Sequence, residues 1–248
     1  MLKNSTILIT GASSGIGRAC AVLLSKYADH LILLARSADK LEKLKKELSH
    51  VPKISLIVCS VTDPEIENKI KAVTNRVDIL INNAGLALGK DPVATLKLQD
   101  MNEMIETNIT GNFNLSRIVL PMMLKQGGGD IINLCSIAGH YSYMGGAVYC
   151  ATKHAVKAFT RAMREETCGK NIRVMEISPG MVETNFSVTR FEGDKAKADA
   201  VYHGMTPLTP EDIADMMKFM LTRPRHVVID EIITMPQDQG SPTTVSRK

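Results

Sequence analysis

The sequence predicts an α/β fold: a doubly wound parallel sheet of about seven strands with helices on both faces. Three observations predict it. Short runs rich in Ile, Leu and Val alternate with helical patterns along the whole chain. These runs are almost continuously apolar, as strands covered on both faces are. No Pro/Gly/Ser linker, internal repeat or low-complexity tract breaks the alternation, so residues 1–248 are expected to form a single domain.

The expected strands are, in order, "STILIT" (5–10), "HLILLA" (30–35), "KISLIVCS" (53–60), "VDILIN" (77–82), "DIINLCS" (130–136), "IRVMEIS" (172–178) and "HVVIDEIIT" (226–234). Helical patterns fall between them, near 15–26, 38–48, 63–74, 99–126, 147–168 and 210–221. Each strand–helix–strand unit implies a right-handed crossover, and hence parallel strands. Residues 180–208 are polar and irregular by comparison. A long segment of that kind inside a compact fold is read as a lid or binding loop, here the substrate loop.

Composition narrows the class. Hydrophobic residues make up 44% of the chain and charged residues 23%, enough for a sizeable core without staples. No apolar run is long enough to span a bilayer, so no membrane partner is expected. The chain opens directly into a structured motif without the apolar segment and cleavage site of a signal peptide; a cytoplasmic location is the expectation. The net charge of +4 is modest, and its densest basic run, "DKLEKLKKEL", places leucines at helical spacing like a solvated amphipathic helix. Nucleic acid is therefore not an expected partner. The five cysteines are scattered and form no CxxC pair, so no metal site is expected and reduced, buried thiols are.

The first strand ends in "TGASSGIG", with Gly11, Gly15 and Gly17, and a helix opens directly behind it. In that context the glycines have a mechanism. They allow a tight turn and a close approach of backbone to pyrophosphate, and the helix N-terminus supplies N–H groups and positive potential. This is the phosphate cradle of a Rossmann-type fold. The second strand runs out into "LLARSADK", which puts Arg36 and Ser37 where an NAD-specific fold places an acid. An acid would repel a 2′-phosphate and an arginine can bind one, so NADP is expected over NAD, with Arg36 the discriminator. Arg18, just inside the first helix, is a weaker candidate for the same phosphate.

"YCATK" lies within an otherwise ordinary helical pattern. Residues i and i+4 share a helix face, so the Tyr149 hydroxyl and the Lys153 ammonium can address one small volume. Alone, this pair is also compatible with simple packing.

Taken together, the motifs resemble the short-chain dehydrogenase/reductase family over essentially the whole chain. "TGASSGIG" is followed in order by "NNAG" (82–85), Asn108 in "ETNITG", Ser136 in "INLCS", Tyr149 and Lys153, and "SPGMVET" (178–184). "NNAGLALG", "RFEGD", "LTPEDIA" and a tail beginning "MPQ" resemble, within that family, the NADP-dependent 3-hydroxy acid dehydrogenases, some of them described as serine dehydrogenases. The resemblance implies a cofactor held by Gly11, Ser13, Ser14, Gly15, Ile16 and Gly17 at the turn, and by Arg36 and Ser37 after the second strand. It implies further contacts from Ser60 and Val61, from Asn83, Ala84 and Gly85, and from Pro179, Gly180, Val182 and Thr184, besides Tyr149 and Lys153. Ser60 stands where the family commonly has Asp, which weakens the expected hold on adenine. A homotetramer is likewise implied.

The resemblance also implies the chemistry. Reducing a carbonyl requires a proton at oxygen as a hydride reaches carbon. Tyr149 is the expected general acid/base, Lys153 the charge that favours the phenolate and holds the nicotinamide ribose, Ser136 the hydrogen-bond donor to the substrate oxygen, and Asn108 a link in a proton relay to Lys153. The expected reaction is hydride transfer between NADP and the β-carbon of a small, serine-like 3-hydroxy acid. Arg190, in "VTRFEGD", is the candidate carboxylate ligand of this small-molecule substrate; the alternative is that it pairs with Glu192, Asp194 or another acid and only braces the loop. A 3-oxoacyl-carrier or broad carbonyl reductase is the alternative activity. A non-catalytic NADP-sensing regulator is the alternative of a different class, and it has no need of Ser136, Tyr149 and Lys153 together.

Overall fold

The computed structural model describes residues 4–248. Its strands are β1 (Ser5–Thr10), β2 (Ala28–Ala35), β3 (Lys53–Val58), β4 (Ile79–Asn82), β5 (Gly129–Leu134), β6 (Ile172–Pro179) and β7 (Glu231–Thr234). They form one seven-stranded sheet in the order β3-β2-β1-β4-β5-β6-β7. Every neighbouring pair is parallel.

Strand side chains alternate between faces, and the core divides accordingly. Ile7, Ile9, Ile79 and Ile81 point to one face, against helices α1 (Gly15–Leu24), α2 (Ala38–Glu47) and α9 (Pro210–Thr222). Leu8, Leu80 and Ile131 point to the other, against α3 (Ile66–Val73), α5 (Asn112–Gln126) and α6 (Ala147–Thr167). Each such Ile or Leu, taken fully out of water, contributes about 1.5–3 kcal/mol. Two buried charges also tie β5 to β6: Asp130 lies opposite Arg173 in the register and accepts both Nε and Nη2 at 2.8 Å.

The strand order reverses between β1 and β4, and the crevice beyond their C-terminal ends is where open α/β sheets bind ligands. Three expectations need correction around it. The helical pattern 99–126 is not uniform: α4 (Leu98–Ile105) passes into a π-helical turn, Glu106–Gly111, before α5 continues. The wider turn puts one extra residue into the helix and re-aims Asn108 inward, which apolar spacing does not reveal. The segment 180–208 is not irregular, since it contains α7 (Asn185–Arg190) and α8 (Lys195–Ala200), capped by the side chains of Thr184 and Asp194. The last strand is shorter than "HVVIDEIIT", pairing only from Glu231 onward.

Candidate active site

Two adjoining cavities open at the crevice. The first, of about 350 Å³, runs across the end of β1. Gly11 and Gly15 line it with φ of +65° and +51°, values that an L side chain would strain. Ser13, Ser14 and Ile16 complete the turn. Ser14 caps α1 without a side-chain hydrogen bond, which leaves the helix's first N–H groups for a ligand. Gly17 does not line the cavity; it lies behind the turn, where a Cβ would come within 2.4 Å of the Gly11 carbonyl oxygen.

Thr10 binds this turn to β4. Its hydroxyl accepts the N–H groups of Asn83 and Ala84, both at 2.9 Å, while Asn83 Nδ2 donates to the Thr10 carbonyl at 2.8 Å. Asn83, Ala84 and Gly85 thereby form one wall. At the far end lie Arg36, Ser37 and a second cation, Lys40, and no Asp or Glu lines this cavity among the described residues. Arg18 is elsewhere engaged, donating to Glu47 at 2.6 Å. Ser60 and Val61 also line this cavity, with Ser60 Oγ held by Thr62 Oγ1 at 2.8 Å.

The second cavity, about 470 Å³, shares Ile16, Asn83, Gly85 and Thr184 with the first. Ser136, Tyr149, Lys153 and Arg190 all line it. Ser136 caps a short 3-10 turn after β5 and accepts the Ala138 N–H at 3.1 Å. Tyr149 and Lys153 come from α6, where Lys153 Nζ donates to the Leu134 carbonyl at 2.9 Å and lies 5.9 Å from the Tyr149 ring centre. Asn108 is buried beside them. It donates to Leu86 O at 2.8 Å and to Thr152 Oγ1 at 3.1 Å, and accepts Leu86 N–H at 2.9 Å. Gly85 separates Asn108 from Lys153: a Cβ there would meet Asn108 Oδ1 at 3.2 Å and Lys153 Nζ at 3.6 Å.

Pro179, Gly180, Val182 and Thr184 form the floor. Gln239 fixes it from the C-terminal tail, its Oε1 accepting Met181 N–H at 2.8 Å. The expected partners of Arg190 are taken by others. Glu192 accepts from Lys97 and Asp194 accepts from the Lys197 N–H. Arg190 instead donates to the Tyr143 hydroxyl at 3.3 Å and stacks on Tyr149 and Phe186, its centre 4.9 and 5.1 Å from their rings, while its buried Nε has no partner.

The electrostatics differ from the expectation. Burial pushes the Tyr149 hydroxyl up to about 12, opposed first by the positive charge of Arg190 and then by a hydrogen bond from Ser136. Lys153 itself is pushed below the ordinary lysine range by burial. The cation acting most on Tyr149 is therefore Arg190, not Lys153. Cys135 and Cys150, flanking Ser136 and Tyr149, are buried thiols raised by desolvation and so poor nucleophiles; Cys168, by contrast with the expectation, is exposed.

The sequence profile of the family described as short chain dehydrogenase matches residues 5–195. The chain belongs to that family. It is 47% identical to the NADP-dependent 3-hydroxy acid dehydrogenase of Schizosaccharomyces pombe, over 100% of this chain and 98% of that protein. It is 39% identical to the serine 3-dehydrogenase of Agrobacterium fabrum, over 96% of each. The closed form of a serine dehydrogenase complexed with NADP+ superposes with a TM-score of 0.92 at 35% identity, covering 98% of this chain and 99% of that one. As a short-chain dehydrogenase the chain is an enzyme of oxidation and reduction. Several members of its site carried weak sequence signals or none. Thr10 adjoins the glycine turn and Lys40 stands four residues after Arg36, in the first turn of α2, so local order marks both. Tyr143 and Gln239 come from unpatterned segments.

Proposed function

We propose that this short-chain dehydrogenase is an NADP-dependent oxidoreductase of CH–OH groups whose substrate is a small 3-hydroxy acid, serine-like in size, oxidised at the β-carbon. The observation that carries the reading is the Arg190 guanidinium in the cavity that Ser136 and Tyr149 line: it donates to the Tyr143 hydroxyl, forms no ion pair among the described residues, and keeps its buried Nε without a partner. Its fork suits a carboxylate, and Lys90 and Arg247 line the same space while no Asp or Glu does among the described residues.

The first cavity fits NADP: the uncapped N-terminus of α1 would meet the pyrophosphate, and Arg36 with Lys40 would provide cations for a 2′-phosphate. When bound, NADP exchanges hydride with the substrate carbon. Everything else falls to the protein. Ser136 and Tyr149 hold the substrate oxygen between two hydroxyls. Tyr149, protonated at neutral pH, gives its proton to a carbonyl oxygen in reduction; in oxidation it is the deprotonated phenolate that takes the proton from the alcohol. Ser136 steadies charge at that oxygen. Lys153 holds a positive charge one helical turn away, and Asn108 fixes the backbone beside it. Together these roles support an enzyme over a sensor.

Leu98, Ile105 and Leu124 expose apolar side chains along α4 and α5, which supports assembly as a homotetramer. No helix among the described residues is long and apolar enough to cross a membrane, and a cytoplasmic setting accords with the reduced thiols. The test is a panel of hydroxy acids, neutral alcohols and ketones assayed with NADP+ and NADPH. Preferential oxidation of 3-hydroxy acids supports the reading. Indifference to the carboxylate, with broad turnover of ketones, moves it to a carbonyl reductase, which the size of the second cavity would accommodate.

A further inference from the structure

Contacts of two kinds hold the Arg190 side chain. Its guanidinium lies over the rings of Tyr149 and Phe186, 4.9 and 5.1 Å from their centres. Its Nη2 donates to the Tyr143 hydroxyl at 3.3 Å, the single hydrogen bond of this side chain among the described residues. The two kinds constrain it differently. A ring face attracts a cation whichever way the fork is turned. A hydrogen bond is directional, so Tyr143 is the contact that fixes the turn of the fork. The main chain of Arg190 is tied separately, its carbonyl accepting the Gly89 N–H at 2.9 Å.

Tyr143 is held in place by local sequence. It lies between the 3-10 turn Ile137–Gly139 and α6, in "YSYMGGAVY". Gly146, just before α6, has a φ of −120°, which does not require glycine. An added Cβ there would run into the edge of the Tyr143 ring, so it is the ring that needs the space. Gly145, with φ of +75°, packs against the Lys90 carbonyl, which a Cβ would meet at 2.5 Å. The loop that carries Tyr143 thus rests on the residue next to Gly89, and Gly89 holds the main chain of Arg190. Burial pushes the Tyr143 hydroxyl above its ordinary value, against the charge of Arg190. The acceptor is therefore a neutral phenol. It orients the guanidinium without cancelling its charge, as a carboxylate partner would.

We propose that Tyr143 is the positioning residue for the substrate carboxylate: by accepting from Arg190 Nη2 it fixes how the guanidinium fork is presented in the cavity, and so sets the enzyme's preference for acids over neutral alcohols. This rests on the carboxylate role given to Arg190 above. Tyr143 and Arg190 both line the cavity that Ser136 and Tyr149 line. Two-point recognition of a carboxylate by arginine depends on the turn of the fork, so loosening it should weaken acid binding more than it slows chemistry.

The experiment compares oxidation of 3-hydroxypropanoate with that of its neutral isostere 3-hydroxypropanamide, using NADP+. The enzymes are the unmodified protein, Tyr143→Phe, Arg190→Ala and the double variant. Tyr143→Phe keeps the ring over Gly146 and removes only the acceptor. KM for the acid should rise about three- to tenfold, the worth of one ordinary hydrogen bond, with a much smaller change in kcat. The amide should lose far less. With Arg190 already replaced by Ala, the same substitution should no longer distinguish acid from amide, because Tyr143 acts only through Arg190. Equal losses on acid and amide, or an acid-selective loss that persists without Arg190, overturns the proposal. If Tyr143→Phe does not fold, Gly146→Ala decides, since its Cβ displaces the Tyr143 ring: an acid-selective rise in KM supports the proposal and an unselective loss overturns it. An unmodified enzyme that oxidises acid and amide alike shows that the carboxylate reading itself has failed, and the proposal falls with it. A preference for the acid that Tyr143→Phe leaves intact overturns the proposal alone.

Discussion

The guanidinium of Arg190 lies 4.9 Å from the centre of the Tyr149 ring. One residue therefore faces both the group proposed to move the proton and the space where a substrate carboxylate would lie. The two roles are separable by substitution.

Arg190→Ala should cost the acid substrate far more kcat/KM than a neutral alcohol of similar size. Losing a charge-assisted contact is worth about 1.5–3 kcal/mol, roughly ten- to a hundredfold. Arg190→Lys should recover part of the loss, because it keeps the charge but not the fork. Equal losses on acid and alcohol would leave Arg190 a brace for Tyr143 and Tyr149.

Tyr149→Phe removes one oxygen and keeps the ring that packs with Leu86, Met104 and Phe186. Turnover should fall at least about a hundredfold, the low end for losing a general acid/base. NADPH titration by fluorescence should show binding preserved. A Phe variant that kept most of its turnover would reduce Tyr149 to a packing residue.

The two directions should respond differently to pH. Burial holds Tyr149 protonated well past neutrality, at about 12 without ligands. Reduction needs the protonated form, so its rate should be level through neutral pH. Oxidation needs the deprotonated form to accept the alcohol's proton, so its rate should climb from neutral to mildly alkaline pH, by up to about tenfold per unit where chemistry limits turnover. Paired pH–rate profiles of kcat/KM check this; an oxidation rate level across that range would contradict it.

Arg36→Asp should weaken NADP and relatively favour NAD. Because Lys40 lines the same end of the cavity, the single change should cost about tenfold in affinity, and adding Lys40→Ala should cost more. Competitive binding of the two nucleotides measures it. Equal affinity for both in the unmodified enzyme would remove Arg36 as discriminator.

Gly17→Ala should damage cofactor binding without touching the cofactor. The added Cβ would sit 2.4 Å from Gly11 O and 2.6 Å from Asn83 Nδ2, neither of which can yield without moving the turn. A lower Tm together with weakened NADPH binding is expected. Unchanged values of both would show that α1 can shift freely.

What the sequence determined by itself were features written in local order. Apolar runs such as "STILIT" and "HLILLA" set strands buried on both faces, because continuous apolarity admits little else between helices. The "TGASSGIG" turn is legible because its glycines are needed where they stand, and "YCATK" because helical spacing puts its two side chains on one face. The tertiary structure alone decided what depends on side chains distant in the chain. Arg190 pairs with neither nearby acid because Lys97 draws off Glu192 and Lys197 occupies Asp194, a competition that spacing cannot show. Asn108 faces inward because a π turn shifts the helix register there. Glu176 and Glu231 meet only because β6 pairs with β7, Glu176 opposite Glu231. Two acids so far apart in sequence look like ordinary strand residues. Pairing of the two strands gathers them into one cluster with His140 and Lys157, where Lys157 Nζ lies 3.3 Å from each Glu231 oxygen.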